Sequence, residues 1–334
     1  MPPLHEPLPQ PFAPGDFVST GRDDRGLRRL AERGLLVRVV RGAYVPSETW
    51  QAFSPRQRYL TLVQASLSRL DGALTASHWS AAAVWGFPVP KSWPKVVETI
   101  DERRESSSRT SRIIRRPGTI DPGDLVDWHG VRVTSPARTA TDLALTYGFD
   151  DGVLVMDFAL HSALGEHERL REEIKVQIEA QIEQRPHLRR ARAARAAVDF
   201  ADPLAESPLE TISRITIARQ RFPAPTLQET LADDAGTIGR PDCCWREYGL
   251  LGEVDGDLKY TDPAFMGGRS AAQVVRNEKT RQRRFENLPW VRRVVRWGAR
   301  EARDPQALSS ILSAAGLPRL PAREALVLPG RRTA

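Results

Sequence analysis

The stretch 239–260, GRPDCCWREYGLLGEVDGDLKY, constrains this chain more than any other part of it. It reads as two β-strands joined by a tight turn, with Asp242 opening the first strand and Glu253 and Asp255 closing the second. Side chains two positions apart on a strand share a face, so Glu253 and Asp255 project together. Val and Leu surround them, and carboxylates among apolar neighbours are costly unless a cation offsets them. A hard divalent metal is the simplest such cation. Asp242 and Glu253, eleven positions apart across the turn, can reach one ion from paired strands. The Val254 carbonyl between the acids can add an oxygen. Gly256 lets the chain bend directly after Asp255; in a straight extended strand Lys259 would lie about 20 Å from Glu253. The competing reading of the same acids is a network of turn caps and salt bridges.

The flanking segments set these acids in a sheet. ESPLETISRITIARQRF reads as a helix opened by Ser207 and Pro208, with Glu210 in its first turn. TLQETLA, TIGRPDCCW and GLLGEVD follow as three strands, then SAAQVVRNEKTRQRRFENL as a helix and WVRRVVRW as a last strand. In the second helix Val274, Glu278, Phe285 and Leu288 form one stripe at helical spacing, which turns Glu278 toward the sheet with Lys279 beside it. Alternatively Glu278 pairs with Arg281 or Gln282 at the surface.

The 49 Lys and Arg side chains among 334 residues leave a net charge of +7, which favours a polyanionic partner, nucleic acid before membrane. Cys243 and Cys244 are neighbours and point to opposite faces of a strand, so they form no ordinary disulfide. No apolar run approaches membrane-spanning length, and the proline-rich opening lacks a signal-peptide core; a cytoplasmic location is expected. RGLRRLAERGLL has helical spacing with Gly34 as its C-cap, and LVRVVRGAYVP alternates as a hairpin. Together they suggest a winged helix-turn-helix whose Arg28, Arg29, Arg38 and Arg41 meet DNA phosphates. The plainer alternative is a small helical module with solvated arginines. His78, beside Ser77 and Ser80, lacks an acid partner or a GxSxG turn and reads as packed or surface histidine. Segments 56–86 read as helical, 95–100, 113–116 and 131–133 as strands, and Ser135-Pro136 as a helix start.

The expected organisation is α+β and multidomain: a loose stretch 1–15, a winged helix 16–70, an α+β middle domain 71–165 and a charged helical linker 166–203. A mixed α/β domain 204–300 and a C-terminal helix and tail 301–334 complete it.

Residues 204–297 resemble the nuclease-like relatives of the very short patch repair endonuclease, within the PD-(D/E)XK superfamily. The matching elements, in order, are Ser207-Pro208-Leu209-Glu210, Gly239-Arg240-Pro241-Asp242, Glu253-Val254-Asp255-Gly256, Lys259-Tyr260, Glu278-Lys279 with Arg281, and Val295-Arg296-Trp297. The resemblance implies a restriction-endonuclease-like fold and Mg²⁺-dependent (or Mn²⁺-dependent) endonuclease activity. Asp242 and Glu253 would be metal ligands, with Glu210 as a supporting acid. Asp255 stands where the superfamily has lysine, so a migrated lysine, Lys259 first and Lys279 second, must replace it, or the site is not catalytic. The first 160 residues resemble, more loosely, AbiEi-type abortive-infection antitoxins. That match rests on Gly34-Leu35-Leu36, Gly42-Ala43-Tyr44, Ser80-Ala81-Ala82 and Thr134-Ser135-Pro136-Ala137-Arg138-Thr139 with Asp142. It implies DNA binding in phage defence and a cognate toxin as partner.

Overall fold

A computed structural model describes residues 24–68, 74–90, 92–162, 168–256 and 271–329 of the chain. It is a mixed α/β structure in two compact units, 1–199 and 200–334.

In the first unit, α1 (Asp24–Glu32) leads into a hairpin of β1 (Leu36–Val40) and β2 (Ala43–Pro46). Gly34 closes α1 at φ +75°, with Leu35 N–H returning to the Leu30 carbonyl, so the expected glycine C-cap is present. Then come α2 (Ser47–Ala52) and α3 (Pro55–Leu67), the latter opened by a Ser54/Gln57 capping box. Among the described residues one helix precedes the hairpin and two follow it. A winged helix-turn-helix needs its helix pair ahead of the wing, so this order does not establish one.

The rest of the unit is built on a six-stranded sheet in the order β5-β6-β4-β3-β8-β7. Its strands are β3 (Thr75–Ala76), β4 (Val97–Ile100), β5 (Ser108–Arg109), β6 (Ile113–Arg116), β7 (Leu125–Trp128) and β8 (Val131–Thr134). β3 lies inside the stretch read as helical; two residues are too few to show a strand period. Helices α4 (His78–Trp85), α5 (Pro136–Tyr147), α6 (Phe149–Ser162), α7 (Glu168–Glu183) and α8 (Ala191–Phe200) complete the unit. α7 was expected as a linker, but Ile174, Ile178 and Ile182 are buried, and it packs on α5 and α6. Its charged faces hid one apolar stripe.

The second unit holds α9 (Pro208–Arg219), β9 (Thr226–Leu227), β10 (Leu231–Asp233), β11 (Gly236–Gly239), β12 (Cys243–Trp245), β13 (Leu250–Asp255), α10 (Ala271–Glu286), β14 (Arg293–Gly298), α11 (Ala299–Arg303) and α12 (Pro305–Ala314). Among the described residues, five strands stand between the helices where three were expected. β10 and β11 pair as a separate hairpin, which Asp233-Asp234 and Gly236 turn back on itself. The main sheet runs β14-β13-β12-β9, with β13 parallel to β14 and antiparallel to β12.

Strand alternation sorts this sheet into two faces. Leu250 and Val254 pack with Leu209, Ile217, Trp297 and Leu308 from the α9, α11 and α12 side. Leu251 and Cys244 pack with Phe285 and Leu288 from the α10 side. The carboxyl end of β13 is therefore clamped between α9 and α10, and the acids sit there. The 301–334 segment contributes to this core through Ala302, Leu308, Leu312 and Leu317.

Candidate functional site

Ser207 caps α9 by accepting the Glu210 N–H at 3.2 Å, as the Ser-Pro opening implies. This places Glu210 in the first turn, where its Oε2 accepts the Glu206 N–H at 2.9 Å. Asp242 lies one residue before β12. The last paired residues there are Cys243 and Gly252, and Asp242 extends the ladder with its side chain: Oδ2 accepts the Val254 N–H at 2.6 Å. Glu253 is 2% exposed on β13.

One residue that the sequence patterns did not single out joins two of these acids. The Gln228 amide donates to Glu210 Oε2 and to Asp242 Oδ1, each at 3.3 Å. Gln228 is buried and holds φ +51°, an uncommon conformation for a residue with a side chain. No spacing rule points to it, because its partners lie 18 and 14 positions away.

Burial, and then the neighbouring Asp242 charge, push the Glu210 carboxyl up to about 7. Burial likewise pushes the Cys243 thiol well up, with Asp242, Glu210 and Glu253 all adding to the effect. Glu210 on α9, Asp242 just before β12 and Glu253 on β13 thus all act on the Cys243 thiol.

Two arginines answer this charge. Arg281 from α10 reaches Glu253 Oε2 at 2.6 Å. Arg296 on β14 meets Glu278 at 2.8 Å and Asp255 at 3.5 Å. Glu278 faces the sheet, where Arg296 of β14 meets it. Lys279 is exposed on α10, and Lys259 lies outside the described residues.

Among the described residues no group of three or more His, Cys, Asp and Glu side chains is gathered tightly enough to cage a metal. Mg²⁺ needs less, since one or two carboxylates with waters commonly hold it. Asp242 stands just before β12, and Glu253 lies on β13, the strand that pairs with it. Val254 contributes its N–H to Asp242 and is placed beside both.

In the first unit, Arg28, Arg29, Arg38 and Arg41 are all exposed, Arg41 in the hairpin turn before Gly42 at φ +73°. His78 is buried: Nδ1 meets Ser77 Oγ at 2.8 Å and Nε2 meets Thr146 Oγ1 at 3.0 Å. Burial pulls its pKa down to about 3, so it stays neutral. The Thr134–Asp142 motif forms a packed corner. Ser135 caps α5, and buried Arg138 pairs with Asp142 at 3.0 Å and Asp124 at 3.4 Å.

No family model matches the chain, and no solved structure matches it. Two curated proteins of Mycobacterium tuberculosis, each described as uncharacterized and from different strains, are 30% identical to it over 161 residues. The matched region is 48% of this chain and 53% of each relative, so the chain spans about half the length of the curated relatives it matches. No helix among the described residues is long and apolar enough to cross a membrane.

Proposed function

We propose that the second unit hydrolyses phosphodiester bonds of DNA with Mg²⁺, or Mn²⁺ in its place. The observation that carries this reading is the convergence of Glu210, Asp242 and Glu253 at one end of β12 and β13, linked by Gln228 and the Val254 N–H. Asp242 and Glu253 would hold the ion, which when bound polarises the phosphate and acidifies nearby water. Glu210, poised at about 7, suits general acid–base work at neutral pH. It can take a proton from the attacking water and return one to the departing oxygen. Gln228 keeps Glu210 and Asp242 in register while both are charged. The exposed Arg28, Arg29, Arg38 and Arg41 would supply sequence-independent phosphate contacts, as a wing and its helix do. The resemblance of the first 160 residues to AbiEi-type antitoxins would place this activity in phage defence.

The test is nicking of plasmid DNA by purified protein with Mg²⁺ and with EDTA. Cutting that needs Mg²⁺ and is lost in Asp242→Ala and in Glu253→Ala is the expected result. Cutting that persists in both variants overturns the assignment.

A second reading has its own observation. Arg281 and Arg296 already neutralise Glu253, Glu278 and Asp255, as a non-catalytic platform would require. In that case the chain is a DNA-binding antitoxin or transcriptional regulator with a cognate toxin. It then footprints its own promoter, Asp242→Ala leaves the footprint intact, and Arg38→Ala or Arg41→Ala weakens it.

A further inference from the structure

The guanidinium of Arg281 lies on the carboxylate of Glu253 at 2.6 Å. Glu253 is almost fully buried, while the Arg281 side chain keeps 34% of its surface exposed. The Arg281 guanidinium carbon lies 5.7 Å from the centre of the Phe285 ring, and its Cδ passes over Gly239, where an added Cβ would meet it at 3.4 Å. It reaches the acid from α10, one turn beyond Glu278. The position two residues after Glu253, by contrast, carries Asp255, whose charge meets Arg296. Among the described residues, the cation paired with Glu253 is an arginine from the helix.

We propose that Arg281 serves as the phosphate-binding cation of this site, pairing with Glu253 in the resting protein and turning its guanidinium to the scissile phosphate when DNA and metal arrive. This rests on the nuclease reading above. A guanidinium offers five donors in a planar fork suited to phosphate, and a single bond to Glu253 leaves most of that fork for a second anion. Arginine stays protonated at any working pH, so Arg281 positions and neutralises but moves no proton. With Glu253 committed to an ion, its hold on Arg281 would weaken, and the guanidinium would be available to the phosphate.

The test compares wild type, Arg281→Lys, Arg281→Met and Lys259→Met of the full chain. It has three readouts: Mg²⁺-dependent cleavage, affinity for a duplex of the same sequence with Ca²⁺ replacing Mg²⁺, and the Mg²⁺-induced rise in melting temperature. Arg281→Met should cut about 100-fold more slowly and bind the duplex more weakly. Its Mg²⁺-induced rise should be larger than in wild type, since Glu253 has lost its internal counter-ion. Arg281→Lys should restore most of the cleavage, which keeps the test decisive where the Met variant folds poorly. Unchanged cleavage and duplex affinity in Arg281→Met, or loss of cleavage in Lys259→Met with Arg281→Met active, overturns this role and leaves the nuclease reading standing. A wild-type chain that neither cuts nor gains melting temperature with Mg²⁺ overturns both.

Discussion

The Trp297 indole N–H donates to Ser213 Oγ at 2.8 Å, fastening the last sheet strand to the helix that carries Glu210. The same ring covers Gly252 so closely that a Cβ there would lie 2.6 Å from Cη2 and 3.2 Å from the Cys243 Cβ. Gly252 sits one residue before Glu253, so close packing and the acids share one stretch of backbone. Gly252→Ala should therefore destabilise the second unit by roughly 1–3 kcal/mol, read as a lower urea midpoint. It should also reduce cleavage, because Trp297 can yield only by shifting α9 and Glu210 with it. An unchanged midpoint would contradict this packing.

The pH dependence of stability should carry the mark of Glu210. Its folded pKa, about 7, lies above the ordinary value of 4.5. A raised carboxyl favours folding fully below pH 4.5 and loses that contribution as pH rises through 7. In EDTA, Glu210→Gln should thus gain stability relative to wild type from pH 5 to pH 8, by on the order of 2–3 kcal/mol. Parallel profiles for the two proteins would show that Glu210 is not buried beside Asp242.

How far the sequence foretold this centre depends on how local each interaction is. Ser207, Ser135 and Gly34 act on groups within five positions, and their caps were legible in the chain. The alternation around Glu253 was legible too, because one strand carries it. The β10–β11 hairpin was not, since Ala232 to Ile238 has little apolar patterning to mark two strands. Arg281 entered as one alternative partner of Glu278, while the acid it meets lies 28 positions away on β13. Helical spacing identifies the face a residue occupies, not which strand that face meets.

Gln228→Ala should leave Glu210 and Asp242 facing each other without a shared donor. Loss of such a buried bond costs about 1–3 kcal/mol. The penalty should be greater at pH 8 than at pH 5, because a protonated Glu210 can itself donate to Asp242. Chemical denaturation at the two pH values measures the difference, and an equal penalty at both contradicts the shared-donor role.

Salt should report on the arginines of the first unit. If Arg38 and Arg41 each neutralise one phosphate, replacing either by Ala should lower the slope of log K against log salt by about 0.9. Titration of a labelled duplex over a range of KCl gives these slopes. Slopes equal to wild type would remove the hairpin from the DNA interface.

Asp242 and Glu253 should hold one divalent ion between them. Anomalous diffraction from a Mn²⁺-soaked crystal should then show a single peak about 2.1 Å from carboxylate oxygens of both residues, with Arg281 turned away from Glu253. A Mn²⁺-soaked crystal with no peak between them and the Arg281–Glu253 pair intact would contradict it.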